Sequence, residues 1–241
     1  MKIVSTCRSL NEERHIEKFC WAYQDIADLI LVADGGSTDN TVLLAESMPK
    51  TKVRNYDVKV ECKNGIWRNP DGPHIQFLID WAVEEGADFI IFQDTDMRPN
   101  KYLKEQARDL FKQMDEKDKD FLMITQIFRW ENNLYFPNLS NFGGSWAQGL
   151  WAWRASIGIK MIDKMPHFEF SYDGSTPIYF DKTGRDLAVQ PPPCFLHFGW
   201  EDLDKTNAHV DYYRNSGLIP GMTHPLQLGG TLKTIEDWMI E

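Results

Sequence analysis

No two cysteines stand in a Cys-x-x-Cys spacing, and the four that exist (Cys7, Cys20, Cys62 and Cys194) are scattered along the chain. That speaks against a disulfide framework and a thiolate zinc site, and reads as reduced thiols in a cytoplasmic setting. Long apolar runs are missing too. Nothing approaches the ~20 residues of a membrane-spanning helix. The opening "MKIVSTCRSLNEE" turns polar where a signal peptide needs an apolar centre. Nor is there a basic block: 26 Lys and Arg face 36 Asp and Glu, a formal charge of −10. Binding to a nucleic-acid backbone is therefore not favoured, and no nucleic-acid patch is evident. Repeats and low-complexity linkers are absent, so residues 1–241 read as a single domain able to bury a full core.

Aromatic residues, by contrast, are plentiful at 13% of the chain, clustered in "RWENNLYFPN", "GSWAQGLWAW" and "FLHFGWED". Such rings pack on sugars as well as in cores. The first half alternates short β-rich runs with helical periodicity. "KIVSTC", "LILVAD", "KVRNYDV" and "DFIIFQ" read as strands. Helices are expected from an Asn11 N-cap to about Tyr23, after Gly35-Gly36 from a Ser37 or Thr38 cap, over "PHIQFLIDWAVEEG", and over "NKYLKEQARDLFKQMDE". This rhythm predicts an α/β fold, a mostly parallel twisted sheet with helices on both faces. The second half is less regular. "DFLMITQIF" and "GLWAWRA" read as strands, "SIGIKMIDKM" as a short helix, Pro166 to Pro193 as irregular, and "KTNAHVDYYRNSG" as a late helix.

Ligands of open α/β sheets bind at the carboxyl ends of the strands. Three polar clusters fall there: Ser9 to Glu12, Asp34 to Asp39, and Asp94-Thr95-Asp96. Asp94 and Asp96 follow the apolar run Phe89 to Phe92. Side chains two apart on a strand share a face, which would let Asp94 and Asp96 converge on one cation. Like charges held so close repel unless a metal or proton intervenes. Oxygen ligands of this kind suit Mg²⁺ or Mn²⁺. The rival reading is a solvated turn.

The ordered set "SLNEERHIEKF", "LILVADGGSTDNTV", "GIWRNPDG" and "IIFQDTDMRP" resembles the family-2 type glycosyltransferases, whose nucleotide-sugar-binding fold is called GT-A. The resemblance covers about residues 1 to 100 closely, which it makes the nucleotide-sugar half. The remaining residues, from about 101 to 241, become the acceptor side. It implies that Ser9 and Glu12 line the base and ribose pocket, and that Asp34 accepts a hydrogen bond from the nucleobase, typically uracil. Arg68 lies near the diphosphate or donor sugar, Asp94 near ribose and metal, and Asp96 on the metal itself. The late His197 in "LHFGWED" is a second metal ligand. Asp173, eleven residues before Gly184, is the general base that takes the acceptor hydroxyl's proton. Glu169, Glu201 and Asp202 are its rivals. Trp146, Trp151 and Trp153 are candidates for sugar stacking, with at least one expected in the core. Where many relatives carry a second acid, this chain has Gly35, and where they carry a Glu before the base, it has Tyr172.

The implied activity is Mn²⁺- or Mg²⁺-dependent hexosyl transfer from a nucleotide-sugar donor, UDP-linked, to an unidentified acceptor with inversion. Two other readings stand beside it. A non-catalytic carbohydrate-binding protein explains the aromatics but not the ordered acids. A nucleotidyltransferase calls for a glycine-rich phosphate loop that "STCRSLNEE" lacks.

Overall fold

The computed structural model describes residues 1–57, 61–63, 66–68, 71–130, 134–136, 148–164, 167–178, 183–198, 211 and 233–234. In chain order the elements are β1 (Ile3–Ser9), α1 (Ile16–Tyr23), β2 (Leu29–Asp34), α2 (Thr41–Glu46), β3 (Thr51–Asn55), β4 (Glu61–Lys63), β5 (Ile66–Arg68), α3 (Asp71–Glu84), β6 (Phe89–Phe92), β7 (Met97–Pro99) and α4 (Lys101–Glu116). There follow β8 (Phe121–Trp130), β9 (Leu134–Phe136), β10 (Gln148–Arg154), β11 (Lys160–Lys164), β12 (His167–Ser171), β13 (Asp186–His197) and β14 (Lys233–Thr234).

The main sheet runs β14-β9-β8-β10-β6-β1-β2-β3, with β13 pairing both β8 and β7. Its centre, β6-β1-β2-β3, is parallel, and β10 joins it antiparallel to β6. Alternation along the central strands sorts their side chains onto two faces. Ile3, Cys7, Ile30, Val32, Phe89 and Ile91 pack with Phe19 and Tyr23 of α1 and Leu103 and Phe111 of α4. Val4, Leu31, Ala33, Ile90 and Phe92 pack with Ile75, Leu78 and Trp81 of α3. Both faces of β2 and β6 are covered, which is why these two strands read as continuous apolar runs and not as alternating ones. Cys7, Cys20 and Cys194 are buried free thiols. Among the described residues no helix is long and apolar enough to cross a membrane.

Several elements differ from the sequence reading. Helix α1 starts at Ile16, not after Asn11. Asn11 sits at φ 55, and its side chain reaches across to accept the Thr38 N–H at 2.8 Å. "SIGIKMIDKM" is not a helix: a 3₁₀ turn over Ala155–Ile157 ends at Gly158, φ 67, and the chain continues as β11. There Gln76 of α3 accepts the Met161 N–H and β12 supplies the ladder, so tertiary pairing overrides helical spacing. The Pro166–Pro193 stretch includes β12 and most of β13. Strand β13 passes through Pro191-Pro192-Pro193 with a register shift against β8 between Val189 and Cys194, where the prolines have no N–H to offer the ladder. Asn100 secures the shifted segment. Its amide donates to the Pro192 carbonyl at 2.7 Å, while its oxygen accepts from Cys194 and caps α4 through Leu103 N–H. Trp151 and Trp153 are both fully buried, on opposite faces of the sheet, so both fill the core. The expected helix over "KTNAHVDYYRNSG" and Trp146 lie outside the described residues, apart from the single position 211.

Candidate active site

The parallel register places Ser9 opposite Asp34 at the carboxyl ends of β1 and β2. Asp34 is buried, and hydrogen bonds engage both of its oxygens. Oδ1 accepts from the hydroxyls of Ser9 at 3.0 Å and Ser37 at 2.5 Å, and Oδ2 accepts the N–H groups of Gly36 at 2.9 Å and Ser37 at 2.8 Å. A carboxylate offers about four acceptor sites, so none is left for a nucleobase. Asp34 is a clamp on its own turn, which needs Gly36 at φ +96. Ser37 therefore braces this turn and does not cap α2, whose N-cap is Asn40. Ser9 is likewise buried and spent on Asp34. The loop carrying Glu12 is fastened to the same turn, for Asn11 N–H donates to Ser37 Oγ and Glu12 N–H to Thr41 Oγ1, at 2.8 and 2.7 Å. The backbone of β5 carries Arg68, whose side chain lies outside the described structure.

Beside Asp34 stands an aromatic pair that the sequence reading missed. Tyr56 donates its N–H to the Asp34 carbonyl at 2.7 Å and stacks on His74, centroids 4.3 Å apart and planes 8° from parallel. His74 Nε2 lies 3.0 Å from the Ala33 carbonyl; facing an acceptor, it carries the proton and donates. Burial is the main cause that pushes this imidazole down to about 4. A histidine depressed in the folded state stabilises it fully above the unfolded value of about 6.5 and loses that stability as pH falls toward 4. From pH 7 to pH 5 the protein is expected to lose about 2 kcal/mol on this account. Urea melts at the two pH values should show the loss shrinking by that amount in His74→Gln; equal losses in both proteins would refute the assignment.

At the end of β6 the backbone leaves the sheet. Asp94 to Asp96 form a turn, closed by Met97 N–H on the Asp94 carbonyl at 2.9 Å, so the two acids are not strand neighbours on one face. They have separate partners. Arg8 Nε meets Asp94 Oδ1 at 2.9 Å, and the same guanidinium pairs with Asp71 at the first turn of α3. Burial works to raise the Asp94 carboxyl, but Arg8, then His197 and His74, hold it below the usual range. Burial disfavours the Arg8 charge in turn, and the two acids more than offset this. Arg8 was a second omission of the sequence reading, although a cation one residue before a strand-end cluster needs a counter-ion.

Asp96 goes elsewhere. Strand β13 runs antiparallel to β7, with His197 opposite Met97, and Phe198 N–H donates to the Asp96 carbonyl at 2.8 Å. This brings His197 Nε2 within 3.6 Å of Asp96 Oδ2. Asp96 Oδ1 is buried with no hydrogen-bond partner among the described residues. An unpartnered carboxylate oxygen beside an imidazole fits a divalent cation, because a buried acceptor left bare is costly. No cluster of three or more His, Cys, Asp or Glu side chains suited to a metal occurs among the described residues. Two protein ligands suffice where phosphates and water complete the shell.

Asp173 is placed far from this group. The β11–β12 hairpin brings Asp163 against Gly72, next to Asp71, since a Cβ on Gly72 would lie 3.0 Å from that of Asp163. Strand β12 then returns toward the amino end of the sheet. Phe170 meets Trp153, and Tyr172 meets Phe121, the first residue of β8. Because β8 runs in the same direction as β6 through its antiparallel partner β10, that is the end opposite Asp96. There the Asp173 carboxylate accepts the N–H groups of Thr176 and Ser175, both at 2.8 Å, and the Ser171 hydroxyl at 2.8 Å. These bonds hold its carboxyl well below the ordinary range. A solvent-exposed, strongly acidic turn residue at the wrong end of the sheet is no general base for this site. Of its rivals, Glu169 pairs with Ile162 within the same hairpin, and Glu201 and Asp202 lie outside the described residues.

No protein-family profile matches the chain, and no curated protein matches it in sequence. Solved structures match its fold. TarS from S. aureus aligns over 90% of this chain at 15% identity with a TM-score of 0.54. The chain spans 39% of that TarS structure and 65% of the structure of TarS 1-349, which has a TM-score of 0.53. Glucosyl-3-phosphoglycerate synthase from Mycobacterium tuberculosis, in complex with Mn²⁺, UDP and phosphoglyceric acid, aligns over 98% of this chain and 87% of its own, at 15% identity and a TM-score of 0.51. The sheet order, the covered parallel centre and these alignments agree: the chain has the GT-A fold.

Proposed function

We propose that this chain is a metal-dependent glycosyltransferase that moves a hexose from a UDP-linked donor to an acceptor hydroxyl, with inversion. The observation that carries the reading is the Asp96–His197 pair, with Asp96 Oδ1 bare, at the ligand-binding end of a GT-A fold. Asp96 and His197 would hold Mn²⁺ or Mg²⁺, which would supply positive charge to the leaving diphosphate. The Mn²⁺ and UDP in the mycobacterial synthase structure support the choice of ion and nucleotide. Arg8 adds a fixed guanidinium at the same strand ends, where preorganised charge favours an anionic leaving group. Ser9, Asp34 and the Asn11–Glu12 loop shape the nucleotide pocket from behind, and Arg68 remains a proposed diphosphate contact. For the base, Asp163 takes the place vacated by Asp173, being the carboxylate that the hairpin carries toward Asp71.

The test is release of UDP from a panel of UDP-sugars, in Mn²⁺ and in chelator. Metal-dependent turnover of at least one donor is expected. Asp173→Asn is expected to keep that turnover within about twofold, whereas Asp163→Asn should lose roughly a hundredfold, the scale of general-base catalysis. No turnover of any UDP-sugar together with no UDP binding would overturn the function. The reverse pattern in the two variants would return the base to Asp173.

A further inference from the structure

The two acids of the Asp94-Thr95-Asp96 turn are not equivalent. Asp94 is taken by an internal cation, Arg8, which is itself shared with Asp71. Asp96 has one oxygen near His197 and one bare. Arg8 and Asp94 lie at the carboxyl ends of β1 and β6 and Asp71 in the first turn of α3, while His197, at the end of β13, adds to the charge felt by Asp94. From this arrangement we infer that Arg8 is a positioning residue that keeps Asp94 out of the metal's coordination shell, so that the protein loads its cation together with the donor diphosphate and not before it. This rests on the reading of Asp96 and His197 as metal ligands.

With Arg8 in place, Asp94 and Asp71 bring two negative charges against one positive, and the Arg8–Asp94 contact fixes one oxygen of Asp94. A cation then finds two side-chain ligands among the described residues, too few for tight binding by a metal that prefers six oxygen or nitrogen donors. Donor phosphates supply the missing ones. Removing the guanidinium takes away the cation that Asp94 and Asp71 share, and Asp94 stands two residues from Asp96 in the same turn. That favours any cation between them and frees Asp94 to become a third ligand. Replacing one unit charge near the site raises cation affinity by about tenfold at the effective dielectric of a protein surface.

The experiment is titration with Mn²⁺ alone, followed by the electron paramagnetic resonance signal of the free ion, with circular dichroism as a check on folding. Arg8→Gln is expected to bind Mn²⁺ about tenfold more tightly than the unmodified protein. Arg8→Lys, which keeps the charge, should stay near the unmodified value. Adding Asp94→Asn to Arg8→Gln should return affinity to the starting level. In parallel, UDP affinity in Mn²⁺ is measured for Asp96→Ala. If Arg8→Gln binds no more tightly while Asp96→Ala loses metal-dependent UDP binding, the role of Arg8 is overturned and the metal site stands. If Asp96→Ala changes nothing, the site reading falls and the Arg8 proposal falls with it. A purely structural Arg8 would lower metal binding or leave it unchanged, never raise it.

Discussion

Asp96→Ala is expected to abolish the gain in UDP affinity that Mn²⁺ confers. In the unmodified protein, UDP should bind roughly a hundredfold more tightly in Mn²⁺ than in chelator, about 2.7 kcal/mol. Isothermal titration in the two buffers measures the difference directly. The expectation follows from Asp96 Oδ1, a buried carboxylate oxygen with no hydrogen-bond partner among the described residues. Asp94→Asn should behave differently. Its Oδ1 contact is with Arg8, so the amide should weaken that pairing while leaving the metal increment in place. Equal loss of the increment in both variants would mean that the two acids act as one ligand pair, contrary to their separate partners.

Asp34→Ala carries the second large effect, and it is on stability. The substitution leaves two hydroxyls and two backbone N–H groups of Ser9, Gly36 and Ser37 without the acceptor that holds them. Hydrogen bonds to a charged group contribute about 1.5–3 kcal/mol each and do not add fully, so a cost of about 3–5 kcal/mol is expected. Chemical denaturation supplies the number. Asp34→Asn separates a clamp from a nucleobase reader. As a clamp it still accepts the two N–H groups, and the serine hydroxyls can turn to meet the amide, so the loss should be smaller, about 1–2 kcal/mol. As a reader it would leave stability untouched and remove UDP binding. That outcome would reinstate the sequence expectation.

Much of the fold was legible because the central strands are buried on both faces. "LILVAD" and "DFIIFQ" are apolar without interruption, and the polar clusters begin where the strands stop. The pairing of His197 with Asp96 was also anticipated, through resemblance and not through spacing. What could not be read was direction and partnership. Asp173 was assigned by its place in a family pattern, but the β11–β12 hairpin turns the chain back along the sheet and delivers Asp163, not Asp173, to the ligand end. Nothing in "KMIDKMPHFEFSYDG" signals which acid that will be, because it depends on pairing between segments and packing on α3. Asp34 was expected to meet a nucleobase, whereas both of its oxygens accept from Ser9, Gly36 and Ser37. A sequence shows an acceptor without showing how many nearby donors have already claimed it. Arg8 was passed over as a flanking residue, since its two partners, Asp71 and Asp94, are distant in the chain and only the fold makes them neighbours.

The antiparallel pairing of β13 with β7 has a consequence for how the protein is made. Asp96 and His197 lie about a hundred residues apart, so a ribosome adding ~5–20 residues per second finishes the strand carrying His197 well after the sheet centre has emerged. The parallel β-α-β half can condense during that interval, but Asp96 and His197 cannot meet until β13 has inserted beside β8 and Asn100 has gripped the Pro192 carbonyl. A nascent chain stalled before Asp186 would therefore carry the parallel centre of the sheet without the Asp96–His197 contact. The meeting of the two side chains waits on β13, through topology alone.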